Sequence, residues 1–175
     1  KEACCVAIGH DSRLSGPRIR DVAVETLASS GCRVICCGLS STPAMFMSTV
    51  YPETGYAGAC MITASHLPYN RNGLKFFDED GGLEKEDIEA ILNIAGDLAE
   101  KMDEKVLEEE LPTDSDKLTA FDLIDVYSAA LRKKICDAVA AEDYEKPLAG
   151  LKIIVDAGNG AGGFFVKKVL APLGA

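Results

Sequence analysis

Short apolar runs alternate with amphipathic segments through the first hundred residues, and that alternation limits the fold more than any single motif does. The run at 4–9 reads as a buried strand, followed by a polar loop at 10–16. Pro17 suits the first turn of a helix, and Ile19, Val22, Ala23, Thr26 and Leu27 recur at helical spacing up to Gly31, a natural stop. A second strand is expected at 33–37. Thr42 is expected to cap, and Pro43 to open, a short helix bearing Met45, Phe46 and Val50. Strands at 58–62 and 74–77 bracket a polar loop, and Gly81-Gly82 turns the chain into a helix with Ile88, Ile91, Leu92 and Ala95 on one face. Strand–helix alternation of this kind predicts an α/β sandwich with a largely parallel sheet.

Further along, residues 101–117 are acidic and contain Pro112, which reads as a surface connection. Phe121, Ile124, Ser128, Leu131, Ile135 and Ala138 define a long amphipathic helix. After Pro147 and Gly150 a new strand at 151–155 leads into a Gly-rich turn and a helix ending near Leu170. This last unit has no third element to pack on, so the expected division is one domain at 1–145 and the start of a second at 146–175. Lys1 stands where a Met would open a complete chain, and strand material follows almost at once, which reads as a trimmed N-terminus.

At 175 residues and 47% hydrophobic content, there is material for a sizeable core, and no run approaches the roughly 18 apolar residues that span a bilayer. The net charge of −10 is uneven: residues 78–116 hold sixteen acidic and three basic side chains, leaving the remainder at about +3. The acidic stretch reads as a solvated face, and so acidic a chain argues against nucleic-acid binding. A small anionic ligand at the basic remainder is compatible with that charge. Seven cysteines, an odd number with no CxxC pair and only two histidines, read as buried, reduced thiols in an intracellular compartment.

The loop between the third and fourth strands concentrates the chemistry: Thr63-Ala64-Ser65-His66-Leu67-Pro68-Tyr69-Asn70-Arg71-Asn72-Gly73-Leu74-Lys75. A serine hydroxyl needs a base, a charged surrounding or prior chemistry to act as a nucleophile, and no GxSxG elbow surrounds Ser65. Lys75 leads the following strand and could aim its ammonium back at the loop. The first loop, Gly9-His10-Asp11-Ser12-Arg13-Leu14-Ser15-Gly16, lies where open α/β sheets gather ligands, and Arg13 could hold phosphate bidentately. The alternative is that Asp11 and Ser15 only turn and cap the chain. Gly158-Asn159-Gly160-Ala161-Gly162-Gly163 matches GxGxxG formally, but Asp156 gives the turn an acidic approach; a tight structural turn and a nucleotide module both stay open.

Taken together, the segments at 9–16, 41–46 (Ser-Thr-Pro-Ala-Met-Phe), 63–77 and 155–163 resemble, in order, the N-terminal part of the α-D-phosphohexomutases, the phosphoglucomutase and phosphomannomutase superfamily. The resemblance implies a three-layer α/β/α sandwich with a mixed, largely parallel sheet, plus the first strand and helix of a second similar domain. It implies that Ser65 is the catalytic serine, carried as phosphoserine, which gives its phosphoryl group to a hexose phosphate and forms a bound bisphosphate that reorients. His66 and Lys75 fall on active-site positions, with Lys75 the better candidate for proton transfer; Arg13 matches the first-loop arginine, a catalytic and substrate-binding position, with Asp11 as support. Mg²⁺ would bind a phosphoryl oxygen on Ser65, and a glucose 1,6-bisphosphate-type activator would phosphorylate the enzyme.

Leu67 and His10 depart from the common pattern of that family, where Asn and Arg are frequent, and no Asp-x-Asp-x-Asp-Arg run supplies further metal ligands. The sugar-selecting and distal phosphate loops are also missing, so the 175-residue chain alone is expected to be inactive. Phosphoglucosamine mutase and a non-catalytic phosphosugar-binding relative are the competing readings. Partners are expected to be a hexose phosphate, with no nucleic acid and no membrane, in a monomer or dimer. The expected location is cytoplasmic, or plastid if a transit segment was removed.

Overall fold

The computed structural model describes residues 4–101 and 118–175. It contains β1 (Cys5–His10), α1 (Gly16–Ser29), β2 (Arg33–Leu39), α2 (Thr42–Val50), β3 (Gly58–Ile62), β4 (Leu74–Phe77), α3 (Lys85–Ala99), β5 (Leu118–Ala120) and α4 (Leu123–Val139). The sheet runs β4-β3-β1-β2-β5. β1 pairs in parallel with β2 and β3, β2 in parallel with β5, and β4 antiparallel with β3. The sheet is therefore mixed and largely parallel, as expected.

The layers follow from the two-residue period of the strands. Ala7, Ile35, Cys37, Ala59 and Met61 face one side and pack with Ala44 and Met45 of α2 and Leu123 and Ile124 of α4. Their neighbours Ile8, Val34, Cys60 and Ile62 face the other side and pack with Val24 and Ala28 of α1. Both faces being covered explains why the central strands read as unbroken apolar runs. α3 forms as expected yet buries none of its residues, leaving Leu92, Ile94 and Leu98 more than half exposed. On the α1 side, Ile8, Ile19, Ala23, Cys60, Phe76 and Leu83 line an open apolar groove of about 680 Å³.

Several details differ from the sequence reading. The α2 cap is Ser41, whose hydroxyl accepts from the Ala44 amide at 3.3 Å, one position before the expected Thr42. β5 was not anticipated; the 101–117 connection lies almost wholly outside the described residues. The expected strand at 151–155 has no ladder partner, and Ile154 is 91% exposed. The helix toward Leu170 forms as a 3-10 turn at Ala161–Gly163 followed by a π-helical stretch at Phe165–Leu170. That segment docks on α4: Val169 and Leu173 pack with Cys136, and Lys168 pairs with Asp122 and Asp125. All seven cysteines are free thiols, but only Cys37, Cys60 and Cys136 are buried; Cys4 precedes β1 and is exposed, contrary to its reading as a buried thiol.

Candidate active site

Parallel strands deliver their following loops to one edge of a sheet, and two such loops meet beyond β1 and β3. The Asp11 amide donates to the Ile62 carbonyl at 3.1 Å, joining the start of the first loop to the end of β3. The Thr63 amide donates to Gly73 O at 2.9 Å, which closes the serine loop at its base. Gly73 suits this close approach, since a Cβ would lie 3.2 Å from the Thr63 carbonyl oxygen, a tight contact.

Inside this frame Ser65 adopts φ 51°, a left-handed conformation that costs a non-glycine residue about 1–2 kcal/mol. It is held there from two directions. Its amide donates to Thr63 Oγ1 at 3.1 Å, and Thr63 Oγ1 in turn donates to Asp11 Oδ2 at 2.7 Å. Its carbonyl accepts from the Arg13 guanidinium at 2.7 Å.

Arg13 fastens the rest of the loop as well. One terminal nitrogen donates to Leu67 O at 2.9 Å, Pro68 O at 2.6 Å and Arg71 O at 3.1 Å. Its Nε donates to Asp11 Oδ2 at 2.9 Å, while Asp11 Oδ1 accepts from the Arg13 amide. The side chain is only 8% exposed. Five hydrogen bonds from one planar cation need the fixed fork of arginine, which a lysine ammonium lacks. The guanidinium is thus committed to the protein's own backbone, and geometry gives Arg13 the part of organising the serine loop. Sequence reasoning placed Arg13 and Asp11 beside Ser65, but it missed Thr63 and the carbonyl clamp. Carbonyls leave no mark in a sequence; the one available signal was a threonine two positions before a serine.

The expected site residues lie on the outside of this frame. Ser65, His66 and Lys75 are exposed, and no hydrogen bond or ion pair to the described residues engages the Ser65 hydroxyl, the His66 ring or the Lys75 ammonium. Lys75 sits on β4 opposite Met61 of β3. His10 turns its Nδ1 onto the Asp11 carbonyl at 2.8 Å. The Gly-rich turn also reaches this edge: Ser12 Oγ donates to Asn159 O at 2.8 Å. Asp156 accepts from the Gly158 amide at 2.8 Å, and Gly158 and Asn159 take φ 54° and 60°. Asp156 therefore caps its own turn. Among the described residues no group of three or more His, Cys, Asp or Glu is placed to hold a metal.

A doubly covered α/β sheet that presents a strained, exposed serine on a cation-fastened loop defines a class of scaffold, and comparison with known proteins gives the family. Residues 1–102 match the family model for phosphoglucomutase/phosphomannomutase, alpha/beta/alpha domain I, and the chain belongs to that family. It is 30% identical over 171 residues to a phosphomannomutase/phosphoglucomutase of Pseudomonas syringae pv. tomato, covering 97% of this chain and 31% of the relative. It is 35% identical over 178 residues to a phosphoglucosamine mutase of Streptococcus pneumoniae, covering 99% of this chain and 35% of the relative. The crystal structure of a phosphoglucomutase/phosphomannomutase family protein from Burkholderia thailandensis shares the fold, with a TM-score of 0.65 at 21% identity over 97% of this chain and 34% of that one. The chain thus spans about a third of the length of these relatives.

Proposed function

We propose that this chain is the serine-bearing part of a hexose-phosphate mutase that moves a phosphoryl group between the 1- and 6-positions of the sugar through phospho-Ser65 and a bisphosphate intermediate. The observation that carries the reading is the contrast at Ser65: its backbone is held on both sides, while its hydroxyl is exposed and unengaged. A group that must be phosphorylated, and then attacked at phosphorus, needs that combination of fixed position and open access. In the transfer, a sugar hydroxyl oxygen forms a new bond to phosphorus as the bond from phosphorus to Ser65 Oγ breaks. Lys75 is the candidate for proton transfer at the sugar hydroxyl, and exposed Arg71 and His66 offer donors to phosphate oxygens. Arg13 and Asp11 hold the loop while this happens.

Mg²⁺ would supply charge neutralisation at the phosphoryl oxygens. A phosphoryl oxygen on Ser65 would be its ligand here, and the described residues do not form a cation site by themselves. The substrate is a hexose phosphate of glucose or mannose; the phosphoglucosamine mutases among the relatives make glucosamine phosphate the second reading.

Incubating the full-length protein with glucose 1,6-bisphosphate and mapping the product by mass spectrometry tests the proposal. One phosphoryl group should appear on Ser65 and vanish in Ser65→Ala. A protein that binds the bisphosphate yet never gains that mass would be a phosphosugar-binding relative, and the mutase reading would fall. Relative turnover of glucose, mannose and glucosamine phosphates then assigns the sugar.

A further inference from the structure

At the sheet edge opposite the serine loop, the β1–β2 ladder begins with the pair Cys5–Arg33. The Arg33 amide donates to the Cys4 carbonyl at 2.8 Å as part of that pairing, which holds Cys4 against the chain where Cys32 joins Arg33. One step back along both strands sets Cys4 beside Cys32. Neighbouring strands lie about 4.8 Å apart, inside the Cα separation of about 4.4–6.8 Å that a disulfide bridges without backbone movement. Residues paired in a parallel ladder also send their side chains to the same face. Cys32 packs on the α1 face of the sheet with Ile8, Val34 and Cys60, and the two-residue period of β1 turns Cys4 toward that same face. Arg33 Nε, 3.4 Å from Cys5 Sγ, pins the adjoining strand starts.

We propose that Cys4 and Cys32 are a cross-strand thiol pair that a low-molecular-weight disulfide, such as oxidised glutathione, converts into an intramolecular disulfide. Cys4 is the exposed sulfur and meets the reagent first, whereas Cys32 is half-buried. The Cys4 thiolate attacks one glutathione sulfur, the S–S bond of the reagent breaks, and glutathione thiolate leaves. Cys32, having lost its proton to solvent, attacks Cys4 Sγ and expels the second glutathione as thiolate. Two electrons pass from the protein thiols to the reagent, and both thiol protons end on the glutathiones or in solvent. Of the remaining five cysteines, Cys37, Cys60 and Cys136 are buried, and the half-buried Cys5 and Cys36 pair across the β1–β2 ladder with Arg33 and Ile8. Closing 4 to 32 encircles β1, the Arg13 loop and α1, and ties the start of the chain to the sheet.

The test is oxidation of the folded full-length protein with oxidised glutathione, quenching with N-ethylmaleimide and peptide mapping. A Cys4–Cys32 linked peptide should form ahead of any other cysteine pair and revert with dithiothreitol. Cys32→Ser should stop at a glutathione adduct on Cys4. The denaturation midpoint of the oxidised wild type should rise above that of the reduced protein, since the cross-link restricts the unfolded chain. Full alkylation of both residues after oxidation would overturn the proposal, as would a stable glutathione adduct on Cys4 in the wild type or preferential pairing of Cys4 with another cysteine. The wild-type mapping does not depend on the variant folding.

Discussion

Replacing Arg13 with methionine keeps much of its apolar stem and removes the cation that fastens the serine loop. Four loop carbonyls and Asp11 lose their donor together. The carbonyls belong to an exposed loop and regain water, so they add little to the loss. Asp11 is different: its side chain is 17% exposed and loses the cation that faces it. Removing one member of a buried ion pair costs about 3–5 kcal/mol. For a chain of this size each kcal/mol moves the thermal midpoint by about 2–4 °C, so Arg13→Met should melt roughly 6–20 °C below the parent. Arg13→Lys keeps a charge near Asp11 but cannot span the carbonyls, and should fall between the two. A local assay separates loop opening from global unfolding. The Arg71 carbonyl that Arg13 holds at 3.1 Å belongs to the peptide bond trypsin would cut, between Arg71 and Asn72. Limited digestion under native conditions should cleave there first, and faster, in Arg13→Met. A variant within about 1 kcal/mol of the parent, the range of a modest surface change, with unaltered cleavage at Arg71, would refute the clamp.

Two further outcomes follow from single residues. At Ser65, with φ 51°, Ser65→Gly should be more stable than Ser65→Ala by about 1 kcal/mol in urea unfolding, because only glycine adopts that conformation without strain; equal stabilities would contradict the geometry. Burial pushes the Cys37 and Cys60 thiols up to about 12, so at pH 8 both should resist maleimide in the folded protein and label only in urea, while Cys4 labels at once; equal labelling rates would count against the packed sheet.

How far the chain could be read in advance depends on which interactions make each part. The first three strands were legible as short apolar runs, and α1, α2 and α4 because their buried positions recur at helical spacing; α3 was read from its apolar spacing although it buries none of its residues. β5 was not: three residues, Leu118–Ala120, become a strand only by pairing with β2, and pairing leaves no pattern at that length. The converse case is 151–155, apolar and β-branched enough to be read as a strand, yet unpaired; a strand is a relation between two segments. The Ser41 cap was displaced by one because Ser41 and Thr42 carry interchangeable hydroxyls and the backbone decides between them. At the site, the family resemblance put Ser65, Arg13 and Asp11 together. What Arg13 does there is written in carbonyl positions, which only the folded loop reveals.

The Asp11–Arg13 pair has a consequence for how charge is shared around Ser65. One positive charge is buried, immobile and balanced by its own carboxylate; Arg71 and Lys75 are exposed and lack partners among the described residues. The Debye length of about 8–10 Å at ordinary salt screens the second group strongly and the first very little. Ionic strength therefore acts on the two separately. Raising salt weakens whatever draws an anion toward the serine edge while leaving the loop's shape intact, so salt dependence of ligand capture and salt independence of loop protection belong to the same molecule.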